Sequence, residues 1–259
     1  MPATDLELLV AAARASGEIA RRFFRRQTTI WEKAGDEGPV TEADLAVNEM
    51  LKAELLAARP DYGWLSEETP DSRDRLEAES VFIVDPIDGT RAFIKGDTNF
   101  AHALAVAREG TVTAAVVYLP IEEALYAAEA GGAAMLNGQP IRVSARHGTD
   151  GATVLGAKAA FAPEHWRGGV PEGLTRRFGP AMSLRLCRVA EGSADATISL
   201  GPAWEWDIAA GDLIARQAGA EVSDRTGRRV RYNSESARSN GILAAPVALW
   251  QTLSRRLAV

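Results

Sequence analysis

The chain has 259 residues, of which 46 % are hydrophobic and 25 % are charged, a balance typical of a soluble globular protein with one large domain or two lobes. Its formal net charge of −6 argues against binding to nucleic acid or anionic membranes, and no apolar run is long enough to span a bilayer. The single cysteine, Cys187, excludes an intrachain disulfide and a cysteine-rich metal site, and it favours a cytoplasmic location.

The N-terminal half predicts two helices and then a series of strands. Thr4 and Glu7 have the spacing of a capping box ahead of an amphipathic pattern, which predicts a first helix. Thr41 and Asp44 open a second helix, and residues 31–39 form a polar loop or hairpin before it. Short apolar or alternating segments predict strands at residues 63–66, 81–84, 100–107, 111–119, 124–128 and 133–136.

The C-terminal half predicts alternating helices and strands after a region of weak pattern. The predicted helices are 184–191, 207–218 and 248–257, and the predicted strands are 153–157, 196–199, 220–223 and 242–245. Residues 146–180 are rich in glycine, proline and arginine, so we place a junction between two lobes there. The prediction is one unit, 1–259, with an N-terminal α+β lobe, 1–145, and a C-terminal α/β lobe, 146–259. The fold class is mixed α/β.

Acidic residues follow three apolar segments. In the stretch VFIVDPIDGTRAFIKG, Asp85 and Asp88 come directly after the predicted strand 81–84. Glu67 follows the apolar residues of WLSEE, and Asp207 stands at the predicted helix start in WEWD. Each acid alone is more often a solvated carboxylate or the cap of a turn or helix. Together they predict one cluster, because ligand sites in α/β proteins form where the ends of such segments meet.

The same stretch combines ligands for a cation with donors for an anion. The carboxylates of Asp85 and Asp88 suit Mg²⁺, which prefers one or two carboxylates, waters and phosphate oxygens. Gly89 and Thr90 supply backbone N–H groups at a predicted helix start, and such groups favour a bound anion. The segment therefore predicts a site for magnesium and a phosphate group.

Three segments resemble the inositol monophosphatase family: WLSEE, DPIDGTRAFIKG and EWDIAAGDLIARQAGAEV, in this order. That family includes inositol monophosphatases, fructose-1,6-bisphosphatases and nucleotidases that act on adenosine 3′,5′-bisphosphate. The resemblance covers nearly the whole chain and implies a layered α/β sandwich and a lithium-sensitive hydrolase of small phosphate monoesters. It also implies two or three Mg²⁺ ions, which lower the pKa of the attacking water and stabilise the leaving oxygen. Homodimers are frequent in the family.

The resemblance implies that the metal ligands are one backbone carbonyl and four carboxylates, which belong to Ile87, Glu67, Asp85, Asp88 and Asp207. Thr90 and Glu67 would orient the attacking water, with Asp44 beside them as a third catalytic residue. The backbone N–H groups of Gly89 and Thr90 would hold the phosphate, and Asp207 would also contact the substrate. Lys33 matches a lysine on a mobile loop beside the site.

The alcohol half of the substrate remains open. Ser199 stands where inositol monophosphatases carry a glutamate that binds the inositol, which weakens that interpretation although a serine still binds hydroxyl groups. SLRLCRVAEGSAD and GPAWEWDIAAGD resemble bacterial 3′(2′),5′-bisphosphate nucleotidases, with Arg185, Arg188 and Lys158 as candidate contacts for a second phosphate. Inositol or sugar phosphates and histidinol phosphate are alternative substrates. A metal-binding interaction protein without catalysis is the alternative of another class.

Overall fold

The computed structural model describes residues 3–33 and 38–258. The helices in this part of the chain are α1 (Asp5–Phe23), α2 (Glu42–Ala58), α3 (Thr90–Ile94), α4 (Met182–Ala190), α5 (Glu205–Gln217) and α6 (Val247–Arg256). The strands up to residue 140 are β1 (Ile30–Glu32), β2 (Pro39–Thr41), β3 (Gly63–Ser66), β4 (Ser80–Asp88), β5 (Ala101–Arg108), β6 (Thr111–Leu119), β7 (Ala124–Glu129), β8 (Met135–Leu136) and β9 (Gln139–Pro140). The later strands are β10 (Thr153–Leu155), β11 (Thr175–Arg177), β12 (Ala196–Ser199), β13 (Ala203–Trp204), β14 (Ala220–Ser223), β15 (Arg238–Ser239) and β16 (Ile242–Pro246).

Capping boxes start the first two helices, as predicted. At α1, the backbone N–H of Thr4 donates to Glu7 Oε2 at 2.8 Å, and the N–H of Glu7 donates to Thr4 Oγ1 at 3.2 Å. At α2, the N–H of Thr41 donates to Asp44 Oδ2 at 2.9 Å. The exchange satisfies backbone donors that have no partner within the helix. The box at α2 also fixes the side chain of Asp44.

The first sheet contains seven strands in the order β3-β4-β5-β6-β7-β8-β9. β3 is parallel to β4, and the other neighbours are antiparallel. Successive residues of a strand point to opposite faces. Phe82 and Val84 therefore pack in the core beneath α1 and α2, whereas Val81 and Ile83 pack in a second core beneath α4 and α5. The sheet is buried on both faces.

The second sheet contains five strands in the order β11-β10-β12-β16-β14. Its outer face packs against α6 through Leu249 and Leu253. Its inner face contributes Ile242 and Ala244 to the core that also contains α4, α5 and the first sheet. The layers are α1 with α2, the first sheet, α4 with α5, the second sheet, and α6. The predicted layered α/β sandwich is confirmed.

The predicted lobe boundary, between residues 145 and 146, falls between β9 and β10, and hence between the two sheets. One buried cluster nevertheless contains Leu65 and Ile83 from one side of this boundary and Leu186 and Ile214 from the other. The two sheets therefore share a core, and the division into two lobes stays a prediction. None of the described helices is long and apolar enough to cross a membrane.

Two strand predictions need correction. The strand predicted at 81–84 extends from Ser80 to Asp88, so both aspartates lie in β4 and not in a turn after it. β11 was not predicted, because Thr175–Arg177 is an exposed edge strand without apolar alternation. Residues 31–39 were predicted to form a loop or hairpin. The antiparallel pairing of β1 with β2 agrees with the hairpin alternative, and residues 34–37 lie outside the described residues.

Candidate active site

An irregularity in β4 brings the two aspartates of DPID to one point. Asp85 pairs with Ala103 of β5 and Asp88 pairs with Ala101, so β4 contains one extra residue over this stretch. In a regular strand, residues three positions apart point to opposite faces. The extra residue changes the strand direction locally, as in a β-bulge, and both carboxylates reach the same place.

The bulge is held from the neighbouring strand by a histidine to which the sequence analysis gave no catalytic or metal-binding role. His102 of β5 is buried, and its Nδ1 atom contacts the carbonyl oxygen of Pro86. The carbonyl oxygen can only accept, so Nδ1 carries the proton. Burial lowers the pKa of His102 to about 4, and the ring is therefore neutral near pH 7.

Asp85, Asp88 and Asp207 form the acidic cluster of the site. Each offers a carboxylate oxygen within 4.8 Å of the others, and Asp207 reaches this point from the first turn of α5. Glu67, directly after β3, faces the same cavity but lies outside this set of three. The structure therefore brings together three of the four acids predicted to cluster, although they lie far apart in the sequence, and it places Glu67 in the lining of the same cavity.

The surroundings of the acidic cluster disfavour its charged form and so favour a bound cation. Burial raises the pKa of Asp85 well above its usual range, and the nearby charges of Glu67 and Asp88 add to this effect. Burial and the charge of Asp88 likewise raise the pKa of Asp207. Within the described residues, the buried Oδ1 atom of Asp85 has no hydrogen-bond partner. A cation would remove both the repulsion and the unsatisfied oxygen, so the residues present fit a metal site.

Asp88 also caps a helix from the other half of the chain. It accepts hydrogen bonds from the backbone N–H of Met182 at 3.1 Å and of Ser183 at 2.6 Å, in the first turn of α4, and from the Ser183 hydroxyl. Burial raises the pKa of Asp88 to about 6, although these hydrogen bonds favour its charged form. Ser183 was not predicted as a site residue, because it belongs to no recognisable motif in the sequence.

Thr90 and Asp44 form a hydrogen-bonded pair beneath the cavity. Thr90 Oγ1 lies 3.1 Å from Asp44 Oδ1 and 3.0 Å from the carbonyl oxygen of Ile87, and its single proton can be donated to either. Burial raises the pKa of Asp44 to about 6, although hydrogen bonds from Thr41 and Thr90 oppose this. Asp44 thus holds the Thr90 hydroxyl from behind and is ionised near pH 7.

Gly89 begins α3 in a backbone conformation that favours glycine. Its φ angle is +96°, and an added Cβ atom would lie 3.1 Å from the carbonyl oxygen of Asn99. A side chain at this position would therefore strain the backbone and crowd a neighbouring carbonyl. Without a side chain, the backbone of Gly89 packs closely against that of Asn99, and Gly89 and Thr90 both line the cavity.

We call the acidic cluster together with Glu67 the acidic side of the site. Lys33 contacts this side. Its Nζ atom lies 2.6 Å from Glu67 Oε1 and 2.5 Å from Glu68 Oε1. Burial, with the charge of Glu67, raises the pKa of Glu68 to about 7. The ammonium group offsets part of the negative charge at this place, which agrees with the position that the resemblance implied for Lys33.

A cavity of about 820 Å³ lies over these residues and is large enough for a small metabolite. The predicted site residues in its lining are Glu67, Asp85, Ile87, Asp88, Gly89, Thr90 and Asp207. Ser199 and Lys158 are not among the described residues that line it, so the geometry does not support their predicted substrate contacts. Those two contacts remain predictions without structural support.

Another part of the cavity wall is basic. Arg185 and Arg188 of α4 line it, as the sequence analysis considered, together with Arg177 at the end of β11. We call these three arginines the basic side. Phe178 lines the same wall and, like Arg177, was missed. The segment RRFGP carried the available signal, two arginines and an aromatic residue before a Gly-Pro turn in a region of weak pattern.

The model of the inositol monophosphatase family matches residues 2–258. The chain belongs to this family. It is 36 % identical to an inositol-1-monophosphatase of Rhizobium meliloti over 85 % of each chain. It is 33 % identical to the 3′(2′),5′-bisphosphate nucleotidase CysQ of Escherichia coli over 88 % of this chain and 93 % of that one. A histidinol-phosphatase of Chlorobaculum parvum is 31 % identical, over 96 % and 95 % of the two chains.

The solved structures agree with the family assignment. An IMPase of Thermotoga maritima superposes with a TM-score of 0.83 at 26 % identity, over 96 % of this chain and 95 % of that one. The family is metal-dependent and its phosphatase-named relatives hydrolyse phosphate monoesters, so the chain is a phosphomonoester hydrolase. The interaction-protein alternative is therefore set aside. Relatives that are named for three different substrates have similar sequence identities to this chain. The relatives therefore do not identify the alcohol half of its substrate.

Proposed function

We propose that this phosphatase is a 3′(2′),5′-bisphosphate nucleotidase that converts adenosine 3′,5′-bisphosphate to AMP and phosphate. The basic side of the cavity carries the proposal. Within the described part of the chain, neither Arg177 nor Arg185 forms a salt bridge, and both line the cavity. Such guanidinium groups suit a second phosphate, which inositol 1-phosphate does not have.

Arg185 is the residue of the basic side whose pKa the acidic cluster affects. Burial lowers its pKa, and the charges of Asp88 and Asp207 oppose that shift. Arg188 is partly neutralised by Glu191 at 2.9 Å and by Glu122 at 3.4 Å. Arg177 and Arg185 are therefore the stronger candidates for contacts with the second phosphate.

The proposal includes a cofactor of two or three Mg²⁺ ions. The carboxylates of Glu67, Asp85, Asp88 and Asp207 and the carbonyl oxygen of Ile87 would hold them, because these are the hard oxygen ligands that Mg²⁺ prefers. When bound, Mg²⁺ supplies a more acidic water and stabilisation of the leaving oxygen. The buried, unpartnered Oδ1 atom of Asp85 supports this assignment.

The chain itself would orient the reactants. Glu67 and Thr90 Oγ1 would accept protons of the attacking water. Thr90 would donate its own proton to Asp44 Oδ1, 3.1 Å away, because the other acceptor, the carbonyl oxygen of Ile87, is a proposed metal ligand. Asp44 is ionised near neutral pH and would accept this proton, which fixes the orientation of the Thr90 hydroxyl. The backbone N–H groups of Gly89 and Thr90 would donate to phosphate oxygens, where negative charge accumulates during the reaction. The homodimer implied by the resemblance stays a prediction.

Inositol 1-phosphate is the second candidate substrate. The 36 % identity to an inositol-1-monophosphatase favours it, whereas the absence of Ser199 from the described cavity lining gives the expected inositol contact no support. Histidinol phosphate carries an ammonium group, and the basic side would repel it. We therefore rank histidinol phosphate third.

The test is kcat/KM with Mg²⁺ for adenosine 3′,5′-bisphosphate, 3′-AMP, inositol 1-phosphate and histidinol phosphate. The first two differ only in the second phosphate. We expect the bisphosphate to exceed 3′-AMP by about tenfold or more, the effect of one or two charge-assisted hydrogen bonds. A higher kcat/KM for inositol 1-phosphate than for the bisphosphate would contradict the proposal.

A further inference from the structure

Phe178 is an exposed aromatic residue in the wall of the substrate cavity. It follows β11 directly, and 66 % of its surface is exposed. Arg177 and Arg185 line the same wall. Single exposed apolar residues are ordinary on a protein surface, so exposure alone carries no conclusion. A ring exposed inside a binding cavity differs, because it offers a flat apolar face to the molecule that enters.

The backbone on both sides of Phe178 is anchored. The N–H of Gly156 donates to the carbonyl oxygen of Arg177 at 3.0 Å, and Arg185 Nε donates to the carbonyl oxygen of Gly179 at 2.7 Å. The guanidinium carbon of Arg185 lies 6.0 Å from the ring centre of Phe178, at the outer limit of a cation–π contact. The backbone that carries the ring is thus held in place before a ligand enters, which reduces the entropy lost on binding.

We propose that Phe178 determines specificity by stacking against a planar aromatic ring in the alcohol half of the substrate, the base of a nucleoside phosphate. The inference rests on the proposed nucleotidase function. All four kinds of nucleobase stack on aromatic side chains, because every base has a π face. The inositol ring is puckered and carries hydroxyl groups on every carbon, so it has no such face.

The charges beside Phe178 favour a nucleobase over the imidazole ring of histidinol phosphate. Arg177 and Arg185 would repel the ammonium group that histidinol phosphate carries. A nucleoside bisphosphate carries a second phosphate instead, which both guanidinium groups attract. One wall therefore offers a stacking face and two cations, which matches a base and a phosphate attached to one ribose.

The test compares two phosphates of secondary alcohols: 3′-AMP, which has a base, and glycerol 2-phosphate, which has none. In Phe178→Ala, the ratio of their kcat/KM values should fall about tenfold, mainly through a higher KM for 3′-AMP. Phe178→Tyr keeps the π face and should keep the ratio within about twofold. Phe178→Leu keeps apolar bulk without the π face and should behave like Phe178→Ala. The proposal is overturned if Phe178→Ala leaves the ratio of the two kcat/KM values unchanged. It is also overturned if Phe178→Leu has the same ratio as the unaltered protein.

Calorimetric binding of AMP and ribose 5-phosphate separates stacking from turnover. The unaltered protein should bind AMP about tenfold more tightly than ribose 5-phosphate, and Phe178→Ala should remove this preference. If it does so while no 3′-phosphate is hydrolysed, stacking stands and the nucleotidase proposal fails. If AMP binds no more tightly than ribose 5-phosphate, stacking is overturned, whatever the substrate panel shows. Faster hydrolysis of histidinol phosphate than of 3′-AMP also overturns the assignment to a nucleobase.

Discussion

The acidic cluster and the basic side belong to one cavity but are built in opposite ways. Asp85 and Asp88 are buried, and the backbone holds them through a strand bulge and the first turn of α4. Arg177 is exposed, on an edge strand, and Phe178 follows it in a loop. The acidic cluster is thus part of the core, whereas Arg177 and Phe178 lie at the surface and Arg185 and Arg188 are half-buried on α4.

This difference predicts different sensitivities to substitution. A buried carboxylate fixed by backbone donors cannot be replaced without loss of charge or of hydrogen bonds. An exposed arginine or phenylalanine can be exchanged with little change in the free energy of unfolding. Substitutions on the acidic side should therefore affect every substrate, and those on the basic side should change the preference among substrates.

The largest effect is expected for Asp85→Asn. Loss of a proposed metal ligand should lower kcat/KM by on the order of 10³-fold for every phosphate monoester. The metal-free variant should melt at a higher temperature than the metal-free parent, because one of several buried like charges is gone. Steady-state kinetics and thermal unfolding in a chelator measure the two effects, with the exposed Glu54→Gln as control. Activity within tenfold of the parent would exclude Asp85 as a ligand.

Arg177→Met tests the basic side. We expect about a tenfold loss of kcat/KM for adenosine 3′,5′-bisphosphate and a much smaller loss for 3′-AMP, because only the former has the second phosphate. Arg176→Met is the matched control, since Arg176 precedes it on β11 and does not line the cavity. Equal losses for both substrates, or for both variants, would contradict a specific phosphate contact.

Ser183→Ala tests how the acidic side depends on α4. The change removes the hydroxyl donor of Asp88 and leaves the two backbone donors in place. The Mg²⁺ concentration for half-maximal activity should rise about tenfold, and the free energy of unfolding should fall by about 1 kcal/mol. Titration of activity with Mg²⁺ and chemical denaturation measure these effects, with the exposed Ser236→Ala as control. An unchanged Mg²⁺ requirement would show that the hydroxyl does not position Asp88.

The smallest effect concerns pH. The pKa values of Asp44 and Asp88 are about 6 in the folded chain and about 4 when unfolded, so the folded chain binds more protons between these values. The stabilisation of the folded state by these extra bound protons is present below about pH 4 and is lost as the pH rises through about 6. In a chelator, the melting temperature should be a few degrees lower at pH 8 than at pH 5. Mg²⁺ should remove most of this difference, and Asp85→Asn should reduce it. A melting temperature that rises with pH in the chelator would contradict the assignment.

Much of the acidic side could be predicted from the sequence, because its residues lie in short contiguous motifs. DPIDGT, WLSEE and WEWD place the acids next to apolar segments whose elements are regular. The basic side was predicted only in part, through Arg185 and Arg188. Arg177 and Phe178 lie where apolar periodicity is weak, whereas Ser199 and Lys158, which were considered, do not line the cavity.

The sequence by itself determined the family and the layered fold, and it contains in short motifs the acids of the proposed metal site. Only the tertiary structure decided how these residues meet. The direction of Asp88 depends on one extra residue in β4 relative to β5, and its hydrogen bonds depend on α4, more than 90 residues later in the chain. The physical reason is that strand register and helix placement are set by packing between distant segments, and a local motif does not contain that information.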